Sequence, residues 1–316
     1  MKTAGPRPLP VLIAVVMALL STRQAAQAAT FDFAAPPGAN YDKAEFRLWY
    51  PDDVGALRAL VILVPGSNGD GRAQVDDPFW REFATRNKLA LVGCRFTDKP
   101  HDQMFIEHYV DVSKGTGPAL LEALTTFAGR ANHPEFASAP LLLWGMSAGG
   151  EFNYEFAAWK PERVVAFIVN KGNIYYTALA PIGARSVPAL LFTGENDLEF
   201  RTNTIVGLFA VNRRAGALWA LTQEPGIGHE VGRSRDMAAI FFEDMLGRRL
   251  PATSEGGTIQ LQPLADKDGF LGDLKARTFQ PAGDTKAPSY PTAWLPTARV
   301  ARAWQSVTSG TPFEKE

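Results

Sequence analysis

A serine stands among glycines in Gly145-Met146-Ser147-Ala148-Gly149-Gly150, directly after the apolar run Leu141-Leu142-Leu143-Trp144. A buried strand, a turn with glycine on both sides and a helix beginning at Ala148 would hold Ser147 in a sharp bend where bulky neighbours clash. A serine hydroxyl is a poor nucleophile at neutral pH, so chemistry at Ser147 needs a base to take its proton and a third group to orient that base. Of the four histidines, His101, His108 and His133 precede Ser147. Only His229 follows it, in the loop Glu224-Pro225-Gly226-Ile227-Gly228-His229. Three carboxylates, Glu195, Asp197 and Glu199, come after the apolar run 189–192, and Asp197 lies past the Gly194 turn, far enough to fold back toward the His229 loop. The competing readings are a plain tight turn at Ser147 and a surface-loop histidine at His229.

Such chemistry requires a scaffold that brings positions 147, 197 and 229 together. Phe46, Leu48 and Tyr50 alternate with Glu45, Arg47 and Trp49, the period of a half-exposed strand, which we place antiparallel and near an edge. Short continuous apolar runs follow at 60–64, 89–94, 141–144, 164–169, 189–192 and 217–221. Bounded by turn residues, they have the pattern of strands buried on both faces of a parallel sheet. Between them, Asp77-Pro78 opens one helix, and Thr116-Gly117-Pro118 opens another with Leu120, Leu121, Leu124, Phe127 and Ala128 on one stripe. A third runs from 148 to 160 and stops at Pro161, and Met237, Phe241 and Met245 mark a fourth within 233–250. The alternation predicts an α/β domain over 29–250: a mostly parallel, doubly wound sheet with helices on both faces. The link 171–187 is too short for a large lid, so an open cleft is expected. Residues 251–316 are rich in proline and glycine, with one helical candidate at 298–307, and read as an extension packed on the main domain.

Lys2 and Arg7, the apolar stretch 9–20 and Ala26-Gln27-Ala28 follow the basic, apolar, small-residue order of a secretory signal over 1–28. This predicts an exported protein, periplasmic or secreted. The apolar stretch is shorter than the roughly 20 residues that span a bilayer, so no stable membrane insertion is expected once the signal is removed. With 32 basic and 33 acidic residues the formal charge is −1, which offers no field for nucleic acid. The single cysteine, Cys94, excludes an intrachain disulfide framework and a cysteine-rich metal site, and its apolar run reads as core. No His or Cys cluster has metal-ligand spacing, and Gly69-Asp70-Gly71-Arg72 lacks the Gly-Lys-Ser/Thr ending of a phosphate-binding loop. Neither a metal nor an organic cofactor is implied.

On Gly145-Met146-Ser147-Ala148-Gly149, the Gly194-to-Asp197 turn and the His229 loop, residues 46–250 resemble the α/β-hydrolase superfamily. In layout they are most similar to secreted dienelactone-hydrolase-like and polyester- or feruloyl-esterase-like serine hydrolases. The resemblance implies Ser147 as nucleophile, His229 as general base and Asp197 as its orienter, preferred to Glu195 by analogy with hydrolases of this chain order. It also implies an oxyanion hole with one donor at the Ala148 N–H and another in Pro65-Gly66-Ser67-Asn68-Gly69. Many relatives begin that loop with His-Gly where this chain has Pro65-Gly66; the donor is Ser67 or Asn68, with Ser67 favoured. Trp80, Tyr109, Trp144, Tyr175 and Tyr176 either shape the cleft or pack in the core. Trp144, Tyr175 and Asn170 are the candidate substrate contacts, with Lys171 and Asn173 near Asn170 at a strand's carboxyl end. The implied activity is cleavage of a small-molecule or polymeric carboxylic ester through an acyl-enzyme, of carboxylesterase, feruloyl esterase or polyester depolymerase type. A serine peptidase or acyltransferase would use the same machinery, and a non-catalytic binding protein of this fold is the alternative from another class.

Overall fold

The computed structural model describes residue 1 and residues 30–52, 55–251, 259–283 and 291–313. Apart from Met1, the signal segment expected over 1–28 lies outside them. Eight strands form one sheet: β1 Thr30–Ala35, β2 Lys43–Trp49, β3 Ala59–Val64, β4 Leu89–Thr97, β5 Leu141–Gly145, β6 Val164–Asn170, β7 Ala189–Gly194 and β8 Trp219–Glu224. Their order is β1-β2-β4-β3-β5-β6-β7-β8. β1 and β2 are antiparallel to their neighbours, and β3 to β8 run parallel. The chain moves outward from β3 to β4, then crosses back to place β5 on the other side of β3. The loops leaving β3 and β5 therefore lie side by side at a reversal of strand order, where open α/β sheets form their binding crevice.

Every residue of β3, β5 and β6 is buried, which is why these strands read as unbroken apolar runs. Side chains alternate between two cores. Leu60, Ile62 and Val64 face α2 Thr116–Ala131, α3 Ala148–Trp159 and α5 Glu199–Arg214, through Leu124, Phe152 and Phe209 among others. Ala59, Val61 and Leu63 face α1 Pro78–Asn87, α6 Ser234–Arg249 and α7 Ala298–Thr308, through Phe83, Phe241 and Trp304. α1 starts as its sequence demands: the Asp77 side chain accepts from the Phe79 N–H at 2.9 Å and Pro78 occupies the first turn. The segment after β6 contains only the short α4 Ile182–Arg185 before β7, so no large lid follows β6. Among the described residues no helix is long and apolar enough to cross a membrane.

Three features lie outside the sequence expectations. One is β1 itself, which forms the edge beside β2; the alternating strand β2 is antiparallel and near the edge, as expected. α5 intervenes between β7 and β8. After 251, β9 Phe270–Asp273, β10 Thr278–Pro281 and β11 Ala293–Leu295 form a small antiparallel sheet of order β10-β9-β11. α7 returns to the main domain, where Trp304 is fully buried and its indole N–H donates to Leu221 O at 2.7 Å.

Candidate active site

Ser147 sits between β5 and α3 at φ 55° and ψ −129°, a conformation that costs a non-glycine residue of order 1–3 kcal/mol. Backbone contacts enforce it. A Cβ on Gly149 would lie 2.2 Å from Val64 O, and one on Gly145 would lie 2.5 Å from Gly149 C, so both positions admit glycine alone without rearrangement. The Ser147 N–H donates to Asn170 O at 2.8 Å, tying the bend to the end of β6.

Three loops at the carboxyl ends of β5, β7 and β8 bring the predicted side chains together. His229 Nε2 lies 3.1 Å from Ser147 Oγ, and His229 Nδ1 lies 3.0 Å from Asp197 Oδ2. The imidazole is one-third exposed, whereas the Asp197 side chain is buried. An ionised carboxylate only accepts hydrogen bonds, so the proton of a neutral His229 ring belongs on Nδ1 and the Nε2 lone pair faces the serine hydroxyl. Burial by itself would raise the Asp197 pKa. Hydrogen bonds from His229, the Leu198 N–H and Arg201 outweigh it and hold the carboxyl below its ordinary value. Glu195, the rival carboxylate, is directed elsewhere: its Oε2 accepts from the Gly226 N–H at 2.7 Å and clamps the His229 loop. Arg201, on α5, was not among the sequence candidates; its Nη1 donates to Asp197 Oδ1 at 2.6 Å.

The loop after β3 lies against the serine. A Cβ on Gly66 would be 3.5 Å from Ser147 Cβ. The Asn68 N–H is engaged by the Tyr109 hydroxyl at 3.3 Å, and Asn68 Oδ1 accepts from the Asp98 N–H at 2.7 Å. Among the described residues the Ser67 and Ala148 N–H groups donate to no protein acceptor. Of the two loop donors considered, Ser67 is thus the one left available.

The expected substrate contacts need correction. Trp144 is buried on the α1 and α6 side of the sheet, with its ring 5.6 Å from that of Trp80, because strand alternation puts it on the face of Leu142. Asn170 is fully buried, and its side-chain amide donates to Val231 O and Ser234 Oγ. Tyr175 packs edge-on against Tyr154 at 5.1 Å with its hydroxyl buried, and burial raises the phenol pKa. Trp80 and Tyr109 are likewise core residues, and Lys171 and Asn173 are buried. Beside Asp197 the exposed apolar side chains are instead Leu198 and Phe200, with the Phe105 ring 6.2 Å from that of Phe200. Tyr176 is exposed as well. Residues in irregular loops carry no periodicity, so no sequence signal marked Phe105 or Leu198. A concavity lined by Pro140, Arg163, Val187 and Arg249 lies at the amino-terminal ends of the strands, opposite this chemistry, and shares no residue with it.

The chain has the α/β-hydrolase fold. Among solved structures it is similar to LpqC, a poly(3-hydroxybutyrate) depolymerase from Bordetella parapertussis, at 17% identity and a TM-score of 0.51, over 72% of this chain and 92% of that one. Poly(aspartic acid) hydrolase-1 from Sphingomonas sp. KT-1 aligns at 13% identity and a TM-score of 0.47, over 65% of this chain and 94% of that one. FphF, a fluorophosphonate-binding serine hydrolase of Staphylococcus aureus, aligns at 12% identity and a TM-score of 0.47, over 69% and 98%. At those scores the last two add nothing to the fold assignment. No protein-family model matches the sequence, and no curated protein matches it.

Proposed function

We propose that this protein is an exported serine hydrolase that cleaves a carboxylic ester through an acyl-enzyme on Ser147. The observation that carries the reading is the continuous pair of contacts from Ser147 Oγ to His229 Nε2 at 3.1 Å and from His229 Nδ1 to Asp197 Oδ2 at 3.0 Å. Ser147 Oγ attacks the ester carbonyl carbon as its proton passes to His229 Nε2, and the imidazolium that forms is held by Asp197. The carbonyl oxygen, now an anion, accepts from the Ala148 and Ser67 N–H groups. His229 returns the proton to the departing alkoxide, leaving an acyl-serine. Water then repeats the sequence with His229 as base, releasing the acid and restoring Ser147. Together with the His229 and Leu198 hydrogen bonds, the one from Arg201 helps to hold Asp197 in its ionised form.

The substrate class is an ester of the carboxylesterase, feruloyl esterase or polyester type. The one-third-exposed imidazole and the exposed Leu198 and Phe200 favour a substrate that approaches from the surface. The name of the similar Bordetella structure places poly(3-hydroxybutyrate) on the first substrate panel, beside aryl and feruloyl esters. Export rests on Lys2, Arg7, the apolar stretch 9–20 and Ala26-Gln27-Ala28, and amino-terminal sequencing of the secreted or periplasmic protein should begin at Ala29.

The deciding experiment is fluorophosphonate labelling with peptide mapping. The adduct is expected on Ser147, absent from Ser147→Ala and from heat-denatured protein. Well-folded protein that takes no label would overturn the enzyme reading in favour of a binding protein of the same fold.

A further inference from the structure

A buried polar network occupies the carboxyl end of β6, where Asn170 and Lys171 both have zero exposure. Lys171 Nζ donates to Asn170 Oδ1 at 3.0 Å and to Glu224 Oε2 in a short ion pair. Glu224 Oε1 accepts from the Arg233 N–H at 2.6 Å. Asn170 in turn reaches two ways. Its side-chain amide donates to Val231 O at 3.2 Å and Ser234 Oγ at 2.7 Å, and its backbone oxygen accepts from the Ser147 N–H at 2.8 Å.

The connectivity has a specific geometric result. The loop carrying His229 leaves β8 at Glu224 and enters α6 after Arg233, so the carboxylate at its first residue bonds the amide near its last. That closes the base of the loop. Lys171 then fastens the closed base to β6, and Asn170 fastens the same strand end to Ser147. Nothing in the ester chemistry needs a fully buried lysine, and taking an ion pair out of water costs energy that well-packed apolar side chains would not incur. A reacting pair held within hydrogen-bond reach, by contrast, loses rate steeply when displaced by about 1 Å.

We propose that Asn170, Lys171 and Glu224 are positioning residues that set the distance between Ser147 and His229, by pinning the base of the His229 loop to the strand end that holds the serine. The inference rests on the reading of Ser147 and His229 as nucleophile and base. It assigns Asn170 a role through Ser147 and Val231, not through substrate.

The test uses the full chain and compares kcat, KM, fluorophosphonate labelling rate and Tm. Lys171→Met combined with Glu224→Met removes both charges, so no unpaired ion stays buried and the fold is kept. kcat is expected to fall at least about 30-fold with KM within about threefold, and labelling of Ser147 to slow in parallel. Lys171→Met combined with Glu224→Gln restores an oxygen acceptor for the Arg233 N–H and is expected to recover about tenfold of that loss. Arg249→Met is the stability control: Arg249 is a buried cation at the far end of β6 that donates to Val164 O and Val165 O, and its loss should lower Tm while leaving kcat unchanged. Wild-type kcat in the folded double variant, or a change confined to KM, overturns the positioning role. Should the double variant fail to fold, the isosteric Glu224→Gln decides: kcat down at least about fivefold at constant KM supports the role, and unchanged kcat overturns it. Wild-type protein that takes no fluorophosphonate would defeat the serine-hydrolase reading itself. Wild-type and variants labelling at one equal rate would defeat only the positioning unit.

Discussion

Arg201 and Asp197 are joined by a 2.6 Å hydrogen bond from Nη1 to Oδ1, one turn apart where α5 leaves the β7 loop, and both side chains are nearly inaccessible to solvent. Because Oδ1 is taken by Arg201 and the Leu198 N–H, only Oδ2 is left for His229. The arginine thus fixes which carboxylate oxygen meets the imidazole and stabilises the ionised form. Arg201→Met withdraws a bond that lowers the Asp197 pKa, so that pKa must rise. A protonated Asp197 no longer supports the imidazolium, so the acid limb of the kcat/KM profile should move to higher pH, with a loss of about 10- to 100-fold at neutral pH. Superimposable wild-type and variant pH profiles would rule this coupling out.

Glu151, one helical turn beyond Ser147, is buried and accepts from the Asn173 N–H at 2.6 Å through Oε1. Desolvation first, and the neighbouring Glu107 charge second, push its pKa from 4.5 to about 8. The folded-state pKa is raised, so the folded protein holds a proton that the unfolded chain releases. Its contribution to stability is complete below about pH 4.5 and is lost as pH rises to about 8. Glu151→Gln keeps the amide acceptor without a titratable proton. Thermal melts between pH 5 and 9 should therefore show a variant whose Tm advantage over wild type grows with pH, and a constant difference would refute the assignment.

How much of this was legible in the sequence follows from which physical signals survive locally. The buried strands β3, β5 and β6 were readable because burial on both faces leaves an apolar run, and the bend at Ser147 because only glycine tolerates the backbone contacts at 145 and 149. β1 was not: its TFDFAA alternates over only six residues, with Phe31 and Phe33 half-buried against a single partner strand. α5 was hidden by its composition. Thr202, Thr204, Ile205, Val206 and Val211 are β-branched and Gly207 interrupts them, so local propensity opposes the helix that Ile205, Leu208 and Phe209 stabilise by tertiary packing. Arg201 was missed with it. Trp144 is a candidate cleft residue by its aromatic type alone, and type does not say which way it faces; strand parity does, and it puts Trp144 in the core.

The glycine positions yield a matched pair of variants. On Gly149 an added Cβ meets Val64 O at 2.2 Å and Pro65 O at 2.7 Å, both backbone atoms of the strand end and loop beside Ser147. Gly149→Ala should therefore displace the serine bend and lower kcat/KM by about 100-fold or more, with reduced soluble yield. Gly129, exposed within α2, has nothing within 4 Å of its Cβ position. Gly129→Ala relieves the entropic cost of a helical glycine and should stabilise the fold by about 0.5–1 kcal/mol with unchanged kinetics. Equal effects of the two substitutions would contradict the contact geometry.

Trp304 tests whether residues beyond 251 share the main domain's folding unit. Its side chain is fully buried in the core formed with α1 and α6, and its indole N–H donates to Leu221 O in β8 at 2.7 Å. Truncating a buried aromatic costs about 3–5 kcal/mol, and here the carbonyl at 221 also loses its donor. At this length the unfolding entropy makes each kcal/mol worth about 1.5–2 °C in Tm, so Trp304→Ala should lower Tm by roughly 5–10 °C. Cooperativity is the discriminating feature. If α7 and the β8 edge unfold together, circular dichroism and tryptophan fluorescence will report one shifted transition, and kcat measured below it will match wild type because Trp304 touches none of Ser147, Asp197 or His229. Two transitions, the earlier confined to the carboxyl-terminal segment, would mean that α7 docks on a domain already stable without it.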